Sequence, residues 1–175
     1  MSTSSPPSDA RALHNIEINN KLTQLGISLA TPQIPTGNYV LCQPSSDGKF
    51  LHVCGHSPIQ SDGTMITGKL GDNVSIDQGY VAARCCAIQI LATLHHHLQG
   101  DWSRLVQILK VVGFVNCTPD FVQQPAVING ASDLFGQVFG PRGRHARSAV
   151  GMQSLPFGIA TEVECVVEIK PEDSE

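Results

Sequence analysis

The stretch that decides the fold lies near the C-terminus and reads ARSAVGMQSLPFGIATEVECVVEI over residues 146–169. Two strand-like runs flank a short turn: Ala146–Ser154, Leu155–Gly158 and Ile159–Ile169. The proline and glycine of the turn favour a reversal of the chain, so the stretch predicts a β-hairpin. With a turn of four residues, Glu162 pairs across from Gly151 and points to the same sheet face as Arg147. A small ligand and a water would then fit between Arg147 and Glu162.

Upstream of this stretch, helix-like and strand-like patterns alternate. The predicted elements are a helix from Asp9 to about Leu25, strands Tyr39–Gln43 and Phe50–Gly55, a helix from Ser75 to about Leu98, a strand Leu105–Asn116 and a helix Pro119–Phe139. Pro125 interrupts or restarts the last helix, because proline cannot continue one. The resulting order, α-ββ-α-β-α-ββ, predicts an α+β protein with a mixed β-sheet and helices packed on one face.

Composition limits the size, location and partners of the protein. A chain of 175 residues suits one main domain. Only 15% of the residues are charged, against about 25% in ordinary globular proteins, which suggests that an oligomer hides part of the surface. The net charge of −4 gives no attraction to nucleic acids or anionic membranes, so neither is an expected partner. Without a membrane-length apolar run or a secretory signal pattern, the expected location is cytoplasmic.

The chain divides into four parts by composition. Residues 1–8 are rich in serine and proline and are predicted to form a disordered tail. Residues 9–30 form an N-terminal helical extension, residues 36–169 the main domain, and residues 170–175 a charged, solvated tail.

The sequence predicts neither a metal nor a cofactor. The six cysteines show no CxxC spacing and suit small buried hydrophobes in a reducing compartment. His52, Cys54 and His56 alternate along one predicted strand, but such side chains point in parallel and do not converge on a tetrahedral ion. The run His95–His97 lies on a helix, where successive side chains diverge by about 100°.

The C-terminal stretch also carries a motif. His145–Pro156, followed by Ala160–Glu164, resembles the signature of the YjgF/RidA (reactive intermediate deaminase) family, in outline A-R-S-x-V-x-V-x-x-L-P and then x-V-E-I-E. Other segments agree with the family in order and spacing: Gly37–Val40, Val53–His56, Gly113–Asn116 and Pro119–Phe121. The resemblance covers roughly residues 36–169. The N-terminal helix and Val127–Leu134 resemble the longer branch of the family, labelled endoribonuclease L-PSP-like or YjgF-like.

This resemblance implies a chorismate-mutase-like fold, a homotrimer and clefts between subunits that bind small carboxylates. In the deaminase branch, those clefts hydrolyse 2-aminoacrylate-type enamines and imines to 2-keto acids and ammonia without a cofactor.

Arg147 and Glu162 are the predicted catalytic residues. The planar guanidinium of Arg147 matches a carboxylate with two parallel hydrogen bonds; the alternative is a structural salt bridge, for example to Glu162. Glu162 follows Arg147 at the spacing that the family uses. Its carboxylate is suited to orient or deprotonate the water that attacks an imine carbon.

The resemblance adds five substrate-binding residues: Tyr39, Gly55, Phe114, Asn116 and Ala149. Tyr39 offers an aromatic wall and a hydroxyl or, alternatively, packs at an interface, and Gly55 lets a ligand approach the backbone. Two positions depart from the family. Ala149 stands where many deaminases have a cysteine, and Cys54-Gly55-His56 replaces the usual S-G-Q. A cysteine-dependent mechanism is therefore unsupported, and the substrate stays open.

Three functions follow from these residues. The leading hypothesis is hydrolytic deamination of enamine or imine intermediates. The second is a regulatory protein that binds a small carboxylate without turnover. The third is an endoribonuclease, suggested by the family label and by the basic cluster Pro141–Arg147. The acidic total charge and the lack of clustered aromatic residues for base stacking count against the third.

Overall fold

The computed structural model describes residues 9–35 and 37–171. Within these residues the elements are α1 (Ala10–Gln24), β1 (Cys42–Pro44), β2 (Phe50–His56), α2 (Ile76–His97), β3 (Leu105–Asn116), α3 (Gln124–Phe139), β4 (Ala146–Met152) and β5 (Thr161–Ile169). Their order is the predicted one, and β3 has the predicted bounds. The predicted disordered tail, residues 1–8, and residues 172–175 of the predicted solvated tail lie outside the described residues.

Capping residues set where the helices begin. The Asp9 side chain accepts a hydrogen bond from a backbone N–H in the first turn of α1. Ser75 and Gln78 form a capping box at the start of α2, in which each side chain accepts from the other residue's backbone N–H. Pro125 lies in the first turn of α3, where a missing N–H does no harm. The helix therefore begins beside Pro125 and not at Pro119.

The five strands form one sheet in the order β1-β2-β5-β3-β4. All neighbours are antiparallel except β3 and β4, which are parallel. The hairpin predicted for residues 146–169 is therefore wrong, because β3 lies between β4 and β5. Glu162 pairs with Phe114, and Gly151 pairs with Val115. The reason is that β3, α3 and β4 form a strand–helix–strand crossover, which places β4 parallel to β3 and leaves the other edge of β3 for β5.

The helices α2 and α3 cover one face of the sheet, as predicted for this α+β fold. Two glycines permit the close layers: a Cβ at Gly113 would overlap Ile128 of α3, and a Cβ at Gly130 would overlap the Tyr80 carbonyl of α2. The opposite face, here called the open face, carries partly exposed side chains from β3 and β5: Val112, Phe114, Glu162, Glu164 and Val166.

The N-terminal extension packs against the loop that follows α2. Ile18 of α1 is fully buried. Arg11 forms an ion pair with Asp101 at 2.6 Å. The indole N–H of Trp102 donates to Asn19 at 3.2 Å. These contacts hold α1 against the rest of the fold.

Candidate functional site

Arg147 lies on β4 and points to the helix-covered face, where α3 supplies three neutral acceptors. Its Nη1 donates to Asn129 Oδ1 and to Ser132 Oγ, both at 2.9 Å, and its Nη2 donates to the carbonyl of Pro125 at 3.2 Å. Residues 125, 129 and 132 share one side of the helix because they are four and three residues apart. The three bonds hold the guanidinium in one orientation against α3.

A second layer of hydrogen bonds fixes the Ser132 hydroxyl. His145 Nδ1 lies 2.7 Å from the Gly143 carbonyl, which can only accept, so Nδ1 carries the proton. Burial, followed by the charge of Arg147, lowers the pKa of His145 and favours the neutral ring. His145 Nε2 therefore accepts from Ser132 Oγ at 3.0 Å. As a result, Ser132 directs a lone pair and not its proton at Arg147.

The charge of Arg147 is not neutralised within the described chain. None of the ion pairs among residues 9–35 and 37–171 includes Arg147, so the alternative of a salt bridge to Glu162 is wrong for the single chain. Three of the five guanidinium N–H groups donate to α3. The other two are available to an anion.

Glu162 lies on the open face, where its carboxylate rests against Gly55 of β2. A Cβ at position 55 would overlap the carboxylate oxygen, so only glycine accommodates this contact. Burial, followed by the charge of Glu164 on the same face, raises the pKa of Glu162. A carboxylate with a raised pKa is a better base than an exposed one, and such groups concentrate at functional sites.

A cavity of about 220 Å³ opens beside this contact. Tyr39 and Gly55, both predicted to bind substrate, line it together. The other walls come from the segment that follows the N-terminal extension, the loop after β2, α2 and the turn before β5: Pro32–Pro35, Ser57, Ile59, Met65, Gln89, Thr93 and Phe157 among them. Gly55 thus links the Glu162 carboxylate to a cavity that Tyr39 also lines, and these three residues are here called the half-site that contains Glu162.

Arg147 and Glu162 are not brought together in one chain. They lie on opposite faces, and β3 separates their strands. Arg147 is also three residues upstream of Val150, the β4 residue that lies level with Glu162. Two strand spacings and three residues along the strand place their Cα atoms about 14 Å apart. The predicted arrangement, with both residues on one face of a hairpin, is wrong because the hairpin does not form.

The remaining predicted residues divide between the two regions. Phe114 neighbours Glu162 on the open face, and Ala149 shares the face of Arg147. Asn116 is buried and donates both amide hydrogens, to the Gly68 carbonyl at 3.0 Å and to the Ile159 carbonyl at 3.2 Å. It therefore ties loops to the end of β3. The substrate-binding roles of Phe114, Asn116 and Ala149 stay predictions.

A bulge in β2 explains why its histidines form no metal site. The register shifts between Val53 and His56, which turns His56 towards the helices, away from His52 and Cys54. The ring of His56 is buried between the Cys54 carbonyl at 2.7 Å and Thr93 Oγ1 at 2.8 Å. Among the described residues, no group of three His, Cys, Asp or Glu side chains is arranged to hold an ion.

Sequence reasoning missed Asn129, Ser132 and His145. Asn129 and Ser132 are polar residues three positions apart on the side of α3 that faces β4. That spacing is a signal, because two polar residues one turn apart on an apolar helix can together hydrogen-bond a side chain from a neighbouring strand. What it bonds is visible only once β4 is known to lie beside α3.

Comparison with known proteins agrees with this fold. The family model described as "YjgF/chorismate mutase-like, putative endoribonuclease" matches residues 19–169. The chain belongs to this family. A family member named Protein TCP17, from Trypanosoma cruzi, is 44% identical over 149 residues, which cover 85% of this chain and 91% of that protein.

Two solved structures are similar over most of the chain. The protein Atu1372 of Agrobacterium tumefaciens, described as of unknown function, is 40% identical with a TM-score of 0.84, covering 91% of this chain and 97% of that one. A Shewanella oneidensis protein described as a "putative endoribonuclease" is 27% identical with a TM-score of 0.81, covering 87% of this chain and 99% of that one. In the described part of this YjgF-family chain, no helix is both long and apolar enough to cross a membrane.

Proposed function

We propose that this YjgF-family protein hydrolyses small imines that carry a carboxylate, in clefts that two subunits form together. The reaction is R–C(=NH)–COO⁻ + H₂O → R–CO–COO⁻ + NH₃, and an enamine such as 2-aminoacrylate enters it after tautomerising to the imine. No electron transfer is involved, so no redox cofactor is needed. The six free cysteines support a reducing, cytoplasmic setting.

The orientation of Arg147 carries this proposal. A guanidinium held by three neutral acceptors retains its full positive charge and two unused N–H groups. Pro125 belongs to the first turn of α3, so the positive end of the helix dipole lies at the same place. Both features favour a carboxylate bound in a fixed orientation at Arg147.

Glu162 supplies the second function, handling of water. Its raised pKa suits a base that takes a proton from water as the oxygen attacks the imine carbon and returns it to the departing nitrogen. Because Arg147 and Glu162 of one chain cannot reach the same small molecule, the complete site needs Arg147 from one subunit and Glu162 from another. The low charge of the chain and its uncovered open face support such a trimer.

The mechanism requires no cysteine nucleophile. Ala149 has no thiol to offer, and burial, followed by the charge of Glu162, raises the pKa of the Cys54 thiol. A protonated thiol is a poor nucleophile. Attack by water, positioned by Glu162, is consistent with both residues.

The test generates 2-aminoacrylate in situ with a serine dehydratase and follows release of pyruvate and ammonia. The parent should exceed the spontaneous rate, whereas Arg147→Ala and Glu162→Gln should each lose about a hundredfold or more of that excess. Arg144→Ala is the matched control, because Arg144 is an exposed arginine three residues away. A parental rate equal to the background would refute the deaminase, and ligand binding without turnover would favour the regulatory protein.

RNA cleavage is the second candidate, because relatives carry the endoribonuclease description. The basic cluster gives it little support. Arg142 donates to the Leu105 carbonyl at 3.0 Å and to His14 Nε2 at 2.6 Å, so it is held within the fold. Cleavage of labelled RNA by metal-stripped protein, lost in Arg144→Ala but kept in Glu162→Gln, would replace the deaminase with the nuclease.

A further inference from the structure

The segment that follows the N-terminal extension reaches the half-site that contains Glu162. After α1, whose contacts to Asp101 and Trp102 anchor it, the chain runs along α2. Residues 32–35 then form one wall of the cavity beside Gly55. The extension therefore leads the chain directly into one wall of the candidate site.

Large apolar side chains that are exposed to solvent line this cavity. Four of them, here called the collar, are Ile34, Tyr39, Met65 and Phe157, and their exposed fractions are 88%, 54%, 42% and 76%. Single exposed apolar residues are ordinary, but a group gathered around one opening indicates a binding surface.

The backbone at Phe157 supports a role for the collar. Phe157 has φ 57°, in the left-handed region, and Gly158 follows at φ 68°. A bulky residue in this conformation is strained, and such strain is found at ligand-binding positions. The turn leaves the Phe157 ring at the cavity and exposed to water, although an inward position would bury it among apolar residues.

We propose that the collar is the subsite for the substrate's side chain, so that the preferred imines carry a branched or aromatic apolar group in place of a methyl. This inference rests on the proposed function. The Glu162 carboxylate lies against Gly55, and Gly55 also lines the cavity, so this one residue joins the proposed reaction centre to the cavity. A volume of 220 Å³ holds about seven waters, which exceeds what the methyl group of 2-iminopropanoate fills.

The test compares the binding of two keto acids, pyruvate and 4-methyl-2-oxopentanoate, by calorimetry with the full-length protein. Keto acids are the reaction products, and their binding does not depend on turnover. The larger one should bind at least about tenfold more tightly, because three additional carbon groups leave water. In Phe157→Ser and Ile34→Ser the ratio should fall at least threefold, with pyruvate affinity kept.

Val122→Ser is the matched control, since Val122 is 79% exposed and lies outside the cavity. It should leave the ratio unchanged. Equal affinity of the parent for the two keto acids would overturn the subsite. A drop in sedimentation mass of both collar variants with the ratio preserved would also overturn it, because the collar would then be a contact between copies. A preserved tenfold ratio without turnover of imines made by an amino acid oxidase would support the subsite and refute the deaminase.

Discussion

The surroundings of Arg147 and those of Glu162 differ in how firmly each side chain is held. Arg147 makes three hydrogen bonds to α3, and one of its acceptors is itself fixed by His145. The Glu162 carboxylate accepts no hydrogen bond from any described residue and is held by its contact with Gly55. The group proposed to bind the substrate is thus rigid, whereas the group proposed to move a proton can adjust.

The difference fits the tasks proposed for the two residues. Binding a carboxylate with two parallel hydrogen bonds demands a fixed plane, and an orientation set before binding loses less entropy. Proton transfer demands a tuned pKa, which burial beside Glu164 provides. The two regions also belong to opposite faces of the sheet, so their cooperation requires two subunits.

The largest expected effect is rescue of activity by mixing inactive variants. In the proposed trimer, Arg147→Ala and Glu162→Gln should each be nearly inactive. After unfolding and refolding together, a mixed trimer regains one intact cleft, because a native Arg147 meets a native Glu162 on its neighbour. With equal amounts, roughly a quarter of the parental activity should return.

The assay is imine hydrolysis by the refolded mixture, and the control is the double variant refolded with either single variant. That control should stay inactive, because every chain in the mixture lacks the same one of the two residues, native Arg147 or native Glu162. Failure of the two single variants to complement each other, although both refold to the parental mass, would refute a cleft that takes Arg147 from one subunit and Glu162 from another.

The second prediction concerns Gly55→Ala, which disturbs the surroundings of Glu162 and leaves those of Arg147 intact. The added Cβ overlaps the Glu162 carboxylate and displaces it. The turnover number should fall about tenfold to a hundredfold, with pyruvate affinity at Arg147 nearly unchanged. Gly136→Ala in α3, where a Cβ has free space, is the control and should leave turnover as it was. Equal loss of affinity and turnover in Gly55→Ala would contradict the division of tasks.

Element order could be predicted from the sequence, but strand pairing could not. The bounds of β3 were predicted correctly because its apolar run ends at polar residues on both sides. The turn Leu155–Gly158 favoured a hairpin, since a local pattern cannot show that β3 is free to accept a neighbour on each edge. Only the longer pattern of β3, α3 and β4, a strand–helix–strand unit, argues for the parallel pair that is observed.

For the candidate site, too, the residues could be predicted from the sequence but their arrangement could not. The motif indicated Arg147, Glu162, Tyr39 and Gly55; Tyr39 and Gly55 line one cavity, and the Glu162 carboxylate contacts Gly55. The acceptors of Arg147 were not predicted, because Asn129 and Ser132 come within hydrogen-bonding distance of Arg147 only through the packing of α3 against β4. The separation of Arg147 from Glu162 follows from the strand order, which the motif does not contain.

The third prediction tests whether neutral acceptors keep Arg147 available. Asn129→Asp replaces the amide oxygen that accepts from Arg147 Nη1 at 2.9 Å with a carboxylate oxygen. The new ion pair should compete with the ligand and weaken pyruvate binding about tenfold. Asn129→Ala removes one acceptor without adding charge and should weaken it only about threefold. Calorimetry with pyruvate and with uncharged pyruvamide measures both. Tighter binding of pyruvate to Asn129→Asp would show that the charge of Arg147 is not what the ligand uses.

The smallest expected effect is on stability, and it tests the surroundings of Glu162. Because burial and Glu164 raise the pKa of Glu162, ionisation of this carboxyl opposes folding. That penalty is absent below the ordinary pKa of glutamate, about 4.3, and appears as the pH rises through the raised pKa. Glu162→Gln should therefore melt above the parent at neutral pH, by less than about 3 °C, and the difference should vanish in acid.

Melting curves between acid and neutral pH measure this, and Glu168→Gln corrects for loss of one negative charge from the same strand and face. The result also reports on the assembled cleft. If a partner's Arg147 already paired with Glu162 in the absence of ligand, the carboxylate would be stabilised and Glu162→Gln would melt below the parent at neutral pH. A higher melting temperature instead means that no cation compensates Glu162 in the absence of a ligand. Arg147 is then not paired with Glu162 and is available to the carboxylate of a ligand.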